Sequence, residues 1–197
     1  MEGEANDLGD GVRFDLRYLT VYNGGRVVFD YLHLVRSRGL QTRSNAAAME
    51  EDYWFRLAKL RETFAAAIQG DFDLLIDVPS NSGYHRPYLS AVLSKYSQVR
   101  CVRFRKDSYL CANPENCDAL VSTCHFIKDH DKDLANHHRV LIVDDVYSTG
   151  TTARVVITKL LGAGLAPNSS VVVACPLRVV VDESAKAFGD ILAANRG

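Results

Sequence analysis

A chain of 197 residues fits one domain with room for a proper hydrophobic core. With 47% hydrophobic residues and a formal charge of −1, it has the balance of a globular protein. That charge gives no reason to expect a nucleic-acid partner, and no apolar run approaches the length of a membrane span. Five cysteines, an odd number, argue against a secreted disulfide framework and for a reducing, cytoplasmic setting.

The first residues, MEGEANDLGDG, are acidic and Gly-rich, the opposite of a signal peptide's basic and apolar start. Residues 1–12 are expected to be a disordered tail ahead of a single domain spanning 13–197. Residues 14–31 read as a β-hairpin. RYLTVY and RVVFDY are strand-like, and Asn23-Gly24-Gly25 supplies the positive-φ residues of a tight turn. Read from its residues alone, the hairpin closes the sheet edge or mediates a dimer contact. Arg36, Arg38 and Arg43 surround Gly39 in what is most simply a solvated connector. A helix is expected over 45–69, with Trp54, Leu57, Ala58, Phe64, Ala65 and Ile68 on its core face and Gly70 as its stop.

FDLLIDV at 72–78 is a buried-type strand, and it runs into Pro79-Ser80-Asn81-Ser82-Gly83, small polar residues ahead of a helix that Pro87 opens. Leu89, Val92, Leu93 and Tyr96 give that helix an apolar face. VRCVRF at 99–104 alternates apolar and basic, a strand with one wetter face that ends in Arg105, Lys106 and Asp107. Residues 107–138 form the least regular stretch, of a length that suits a lid or insertion. This stretch holds Cys111, Cys117, Cys124 and His125, residue types that can supply four ligands to zinc. The spacings are not tight Cys-x2-Cys knuckles, so free cysteines and surface histidines are the simpler reading. SVVVACP at 170–176 is a further buried strand, which residues 177–181 extend or follow as an edge strand. A terminal helix is expected over 182–194. Strands alternating with helices from residue 45 onward indicate an α/β fold with a mainly parallel sheet flanked by helices.

The most informative stretch is RVLIVDDVYSTGTT at 139–152. Four apolar residues make a strand buried on both faces, and it ends in Asp144 and Asp145. Successive strand residues point to opposite sides, so the two carboxylates cannot do the same job. At the carboxyl end of a parallel strand they overhang the crevice where open α/β sheets bind ligands. Ser148, Thr149, Gly150, Thr151 and Thr152 then form a turn into a helix. Its hydroxyls, backbone N–H groups and helix N-terminus suit one phosphate. Carboxylates beside a phosphate cradle suggest a ligand with sugar hydroxyls and a phosphate. A Walker loop and a GxGxxG fingerprint are both absent.

Together, VLIVDDVYSTGTT resembles the phosphoribosyl pyrophosphate (PRPP) motif of type I phosphoribosyltransferases, in a variant similar to ComF-like and amidophosphoribosyltransferase-like members. The resemblance implies that family's core fold over about two-thirds of the chain. It further implies Mg²⁺-dependent displacement of pyrophosphate from PRPP by a nitrogen nucleophile, a base or amine. Asp144 and Asp145 would face the ribose hydroxyls, and Ser148 to Thr152 would hold the 5′-phosphate. Ser80, Asn81, Ser82, Gly83 and Arg86 would take the pyrophosphate, aided by Arg105 or Lys106 from the lid. Mg²⁺ would be held mainly by ligand oxygens and water, with no direct protein ligand. The 79–83 loop departs from the family's form in carrying Tyr84 and His85 and no acid after the proline.

Where enzymes of 6-oxopurine salvage place an Asp, this chain has Ser148, which points away from hypoxanthine and guanine. No glutaminase half with an N-terminal catalytic cysteine is expected. Homodimers are common in the family. The alternative is a non-catalytic PRPP- or nucleotide-binding regulator, or a ComF-like accessory protein, that keeps the same cradle.

Overall fold

The computed structural model describes residues 1–7, 13–22, 47–80, 83–107, 110, 112–127 and 132–180, with the backbone alone over 47–54. Asn81, Ser82, Cys111, the arginines at 36, 38 and 43, the return strand expected at 26–31 and the terminal helix expected at 182–194 lie outside these residues.

Four short apolar runs build the centre of one sheet. In chain order the elements are β1 (Glu2–Asp7), β2 (Arg13–Tyr22), α1 (Ala47–Ala67), β3 (Leu74–Asp77), α2 (Arg86–Lys95) and β4 (Arg100–Lys106). They continue with α3 (Cys117–Thr123), β5 (Cys124–Phe126), β6 (Arg139–Val143), β7 (Val146–Tyr147), α4 (Thr151–Gly162) and β8 (Ser170–Val179). The strand order is β1-β2-β8-β6-β3-β4-β5, with β7 also on β8. Pairing is parallel from β2 through β4, and the outermost strands β1 and β5 run antiparallel to their neighbours. This is a mixed α/β fold, as the alternation of strand and helix patterns predicts.

Both faces of the sheet are covered, which is why the inner strands are apolar throughout rather than alternating. On one face Ile76, Val102, Ile142 and Val173 pack with Val156 and Leu160 of α4 and Leu120 of α3. On the other, Leu75, Leu141 and Val172 pack with Phe64 of α1, Ile68 just past its end, and Tyr88 and Val92 of α2. Phe64 and Tyr88 meet edge to face at 5.6 Å between ring centres. The core stripe of α1 holds at Leu57, Phe64, Ala65 and Ile68, whereas Ala58 faces solvent and the Trp54 side chain lies outside the described residues. In α2 Tyr88, a position the apolar stripe did not include, is fully buried alongside Val92.

Two expectations change, and of the two readings for residues 177–181 the structure takes the extension. Residues 2–7 are a strand, not a tail: their backbone pairs with β2, and the Glu4 carboxylate lies 2.7 Å from Arg178 Nε on β8. A polar, acidic strand carries no hydrophobic signature, because ladder bonds and this ion pair hold it. The antiparallel partner that β2 has among the described residues is therefore β1. The described residues within 107–138 hold more regular structure than a bare lid. Helix α3 and β5 return the chain onto β4, with Asp107 N–H donating to Thr123 O and Ile127 N–H to Arg103 O. Leu120 and Cys124 anchor this return in the core. Finally, β8 continues through Pro176 to Val179, and its alternation reverses there, Cys175 and Leu177 packing on opposite faces.

Leu141 is fully buried at the centre of this layered core. Leu141→Ala should lower unfolding free energy by about 2–5 kcal/mol, read as a lower urea midpoint at unchanged m-value.

Candidate functional site

The parallel strands β3, β6 and β8 deliver their carboxyl ends to one edge of the sheet. Asp77 is the register partner of Val143, so the loop after β3 and the acidic pair after β6 start side by side. The break between β6 and β7 falls at Asp144 and Asp145. β8 pairs with β6 over residues 170–174 and with β7 over 177–178. Opposite the break stands Pro176, which has no N–H to offer a ladder. The backbone is held on the strand side by Asp144 N–H donating to Ala174 O at 3.0 Å.

As strand alternation requires, the two carboxylates separate. Asp144 is half-buried and lines a small niche with Ile142, Val173 and the 148–153 turn, whereas Asp145 is buried and does not. One Asp144 oxygen accepts the Asp145 N–H at 2.8 Å, which orients the side chain. Beneath the pair, Cys175 is completely buried. Burial, then the Asp144 charge, push its thiol pKa up, so it is a packed neutral group and no nucleophile.

The turn after the acids has the shape of an anion cradle. Gly150 has φ 76° and is the residue before α4, whose first turn receives no side-chain cap. Thr149 and Thr151 share a hydroxyl–hydroxyl hydrogen bond at 2.9 Å, while Ser148 is exposed. The Tyr147 ring lies over Gly150: a Cβ at that position would sit 2.6 Å from Tyr147 Oη. Burial raises the phenol's pKa, so it stays protonated. The niche beside Asp144 measures about 20 Å³. On its other side the same turn opens to a cleft of about 320 Å³ that reaches Asn6, Asp7 and Arg154.

The loop after β3 closes on itself. Gly83, at φ 65°, donates its N–H to Ser80 Oγ at 2.9 Å, and Arg86 N–H donates to Gly83 O. An incoming anion would have to displace the serine hydroxyl to reach that amide. Arg86 opens α2 with its side chain exposed.

The two basic candidates of β4 do not act together. Lys106 shares the Val102–Phe104 face and lines a crevice with Pro79 and Thr152, on the side of the cradle. Its ammonium donates to Leu110 O at 2.7 Å. Arg105 leaves the strand on the opposite side, exposed, beside Asp107. Alternation makes Lys106 the better-placed group.

Nor are the described zinc candidates brought together. Cys124 is buried in the core, and His125, next on the strand, points outward to Asp107 at 3.5 Å. Cys117 is partly buried at the start of α3. Among the described residues no group of three metal-ligating side chains occurs.

Two polar residues at this edge were given no role by the sequence reading. Asp77 and His85 are both buried, with His85 Nε2 2.5 Å from Asp77 Oδ1 and Arg103 Nε 3.5 Å from Asp77 Oδ2. The available signal was an acid inside the apolar run FDLLIDV, with a histidine just ahead of a Pro-opened helix.

No family model matches the chain, and no curated protein does. Among solved structures it is similar to a crystal structure of a hypoxanthine phosphoribosyltransferase from Staphylococcus aureus. The TM-score is 0.38 at 14% identity, covering 79% of this chain and 74% of that one.

Gly150→Ala should cost about 1–2 kcal/mol of stability through the left-handed conformation alone. Adding Tyr147→Phe should leave that backbone cost in place, as thermal melts of the single and double variants measure. Burial raises the Cys124 thiol pKa to about 11, so the folded chain holds this proton more tightly than the unfolded chain does. Its contribution to stability is therefore full at neutral pH and is lost as pH rises from the ordinary thiol value through about 11. Iodoacetamide at pH 8 should spare Cys124 in the native protein and modify it in urea, as read by peptide mass mapping.

Proposed function

We propose that this protein is a phosphoribosyltransferase that uses PRPP and Mg²⁺ and transfers the phosphoribosyl group to a nitrogen nucleophile. The observation that carries the reading is that Asp144 and the 148–152 turn line one niche at the carboxyl edge of a mainly parallel sheet. A carboxylate alone would repel a phosphate. A ligand with sugar hydroxyls between its phosphate and the acid satisfies both groups at once.

On this reading the turn's N–H groups and the positive end of α4 hold the 5′-phosphate. Asp144 accepts hydrogen bonds from ribose hydroxyls, and its charge favours the positive character that develops on the ring as the anomeric bond to pyrophosphate lengthens. Asp145, buried behind it, adds negative potential. Ser80, Gly83 and Arg86 receive the pyrophosphate from the β3 side, with Asn81 and Ser82 assigned by sequence alone. Lys106 reaches the ligand from the α4 side, whereas Arg105 faces away from it. The donor set fits Mg²⁺ that keeps diphosphate oxygens and water as its main ligands, since Asp144 presents a hard oxygen beside the cradle. When bound, that ion offsets the charge of the departing pyrophosphate. The reaction needs no covalent group on the protein, and rate comes from positioning, electrostatics and exclusion of water. Ser148 in place of an acid favours acceptors other than 6-oxopurines.

Calorimetric titration of PRPP with and without Mg²⁺ tests the reading on wild type and the Asp144→Asn/Asp145→Asn variant. Metal-dependent binding that weakens at least about tenfold in the variant, a loss of about 1.4 kcal/mol, is the expected result. Pyrophosphate release across a panel of bases and amines then separates an enzyme from a sensor with the same cradle. A folded wild type that does not bind PRPP would sink the proposal.

A further inference from the structure

The Asp77–His85 pair has features that stability does not explain. Asp77 is the last residue of β3 and His85 caps α2, so their side chains tie together the two ends of the junction that carries Ser80 and Gly83. Asp77 is 8% exposed and His85 1% exposed, so the contact is shielded from solvent and salt. Arg103, register partner of Asp77 on β4, holds the other carboxylate oxygen. With Nε2 turned to Asp77, His85 Nδ1 is buried and has no hydrogen-bond partner among the described residues. Leaving such a nitrogen unpaired costs about 1–3 kcal/mol. A well-packed apolar side chain would avoid that cost. The pair therefore needs another reason.

Position supplies one. His85 also accepts the Tyr88 and Leu89 N–H groups through its carbonyl, so a fixed imidazole fixes the first turn of α2. The Arg86 N–H to Gly83 O bond passes that order back to Gly83, which faces Ser80 across the loop. We propose that His85, clasped by Asp77, is a positioning residue that sets the Ser80–Gly83 donors and Arg86 for the diphosphate end of the ligand. This rests on the transferase reading above. The clasp lies on the α2 side of the sheet, away from the phosphate turn on the α4 side, so its effect should be confined to one end of the ligand.

The test uses the full chain and three variants. In His85→Leu the donor is gone, in His85→Asn the side chain is too short to reach Asp77, and in His85→Gln an N–H is restored near the Nε2 position. Two probes are titrated by calorimetry, Mg²⁺-pyrophosphate and ribose 5-phosphate, and amide hydrogen exchange is followed at residues 83–86. His85→Leu and His85→Asn should weaken pyrophosphate about tenfold, the scale of one lost hydrogen bond to a charged group, and speed exchange similarly. Ribose 5-phosphate affinity should stay within about twofold, and His85→Gln should recover most of the loss. Should His85→Leu fail to fold, the Asn and Gln variants carry the comparison. Wild-type pyrophosphate affinity and exchange in the short or apolar variants would overturn the proposal. So would an equal loss of both probes, which marks general damage. If wild type binds neither probe, the transferase reading fails, and exchange alone then shows whether the clasp orders the junction.

Discussion

Parallel pairing of β3, β6 and β8 is the constraint on which the site depends. Three strands running the same way must each leave the sheet at the same edge, and each needs a connection back across a face. The helices that make those connections bury both faces, so the edge is where polar groups can collect. Two loops meet there because β3 and β6 are neighbours, although 67 positions separate Asp77 from Asp144 in sequence. The ladder break opposite Pro176 then frees Asp144 from strand geometry without loosening the strand beneath it.

The sheet also sorts the charges. Alternation sends Asp144 and Lys106 toward the α4 side and Asp77 and Arg103 toward the α2 side. Arg103 is therefore committed to a buried acid rather than to a ligand, and Arg105, on the same face as Arg103, looks away from the cradle. A sequence rich in basic residues near the end of β4 thus contributes one well-placed cation to the turn and one structural partner to the loop. Charge count along the chain says little about this, because the period of two decides each residue's side.

The inner strands, three of the helices and the acid–turn–helix unit were legible because their signals are local. Four consecutive apolar residues, an acidic end and a Gly-containing hydroxyl turn encode strand, edge and cradle within 14 residues. What stayed hidden depends on partners distant in sequence. Glu2–Asp7 is polar and becomes a strand through β2 and Arg178. Helix α3 and β5 are short, and their order comes from burying Leu120 and Cys124 against the sheet and α4. The Asp77–His85 pair gave no periodic signal, since its meaning lies in a side-chain distance across the loop.

The two halves of the edge differ in how ready they are for an anion. The turn at 148–152 presents a helix start without a side-chain cap, so a phosphate there completes bonds the chain leaves to solvent or ligand. At the β3 loop, Ser80 already occupies the Gly83 amide, so on the transferase proposal a diphosphate would have to win that donor by exchange rather than find it waiting. Exchange is nearly balanced for a neutral hydroxyl and favourable for a charged oxygen, because charge-assisted bonds are about twice as strong as neutral ones. A ligand carrying a phosphate at one end and a diphosphate at the other would on this account be caught first at the turn. It would then recruit the β3 loop, giving an order of engagement that follows from which backbone donors are already used.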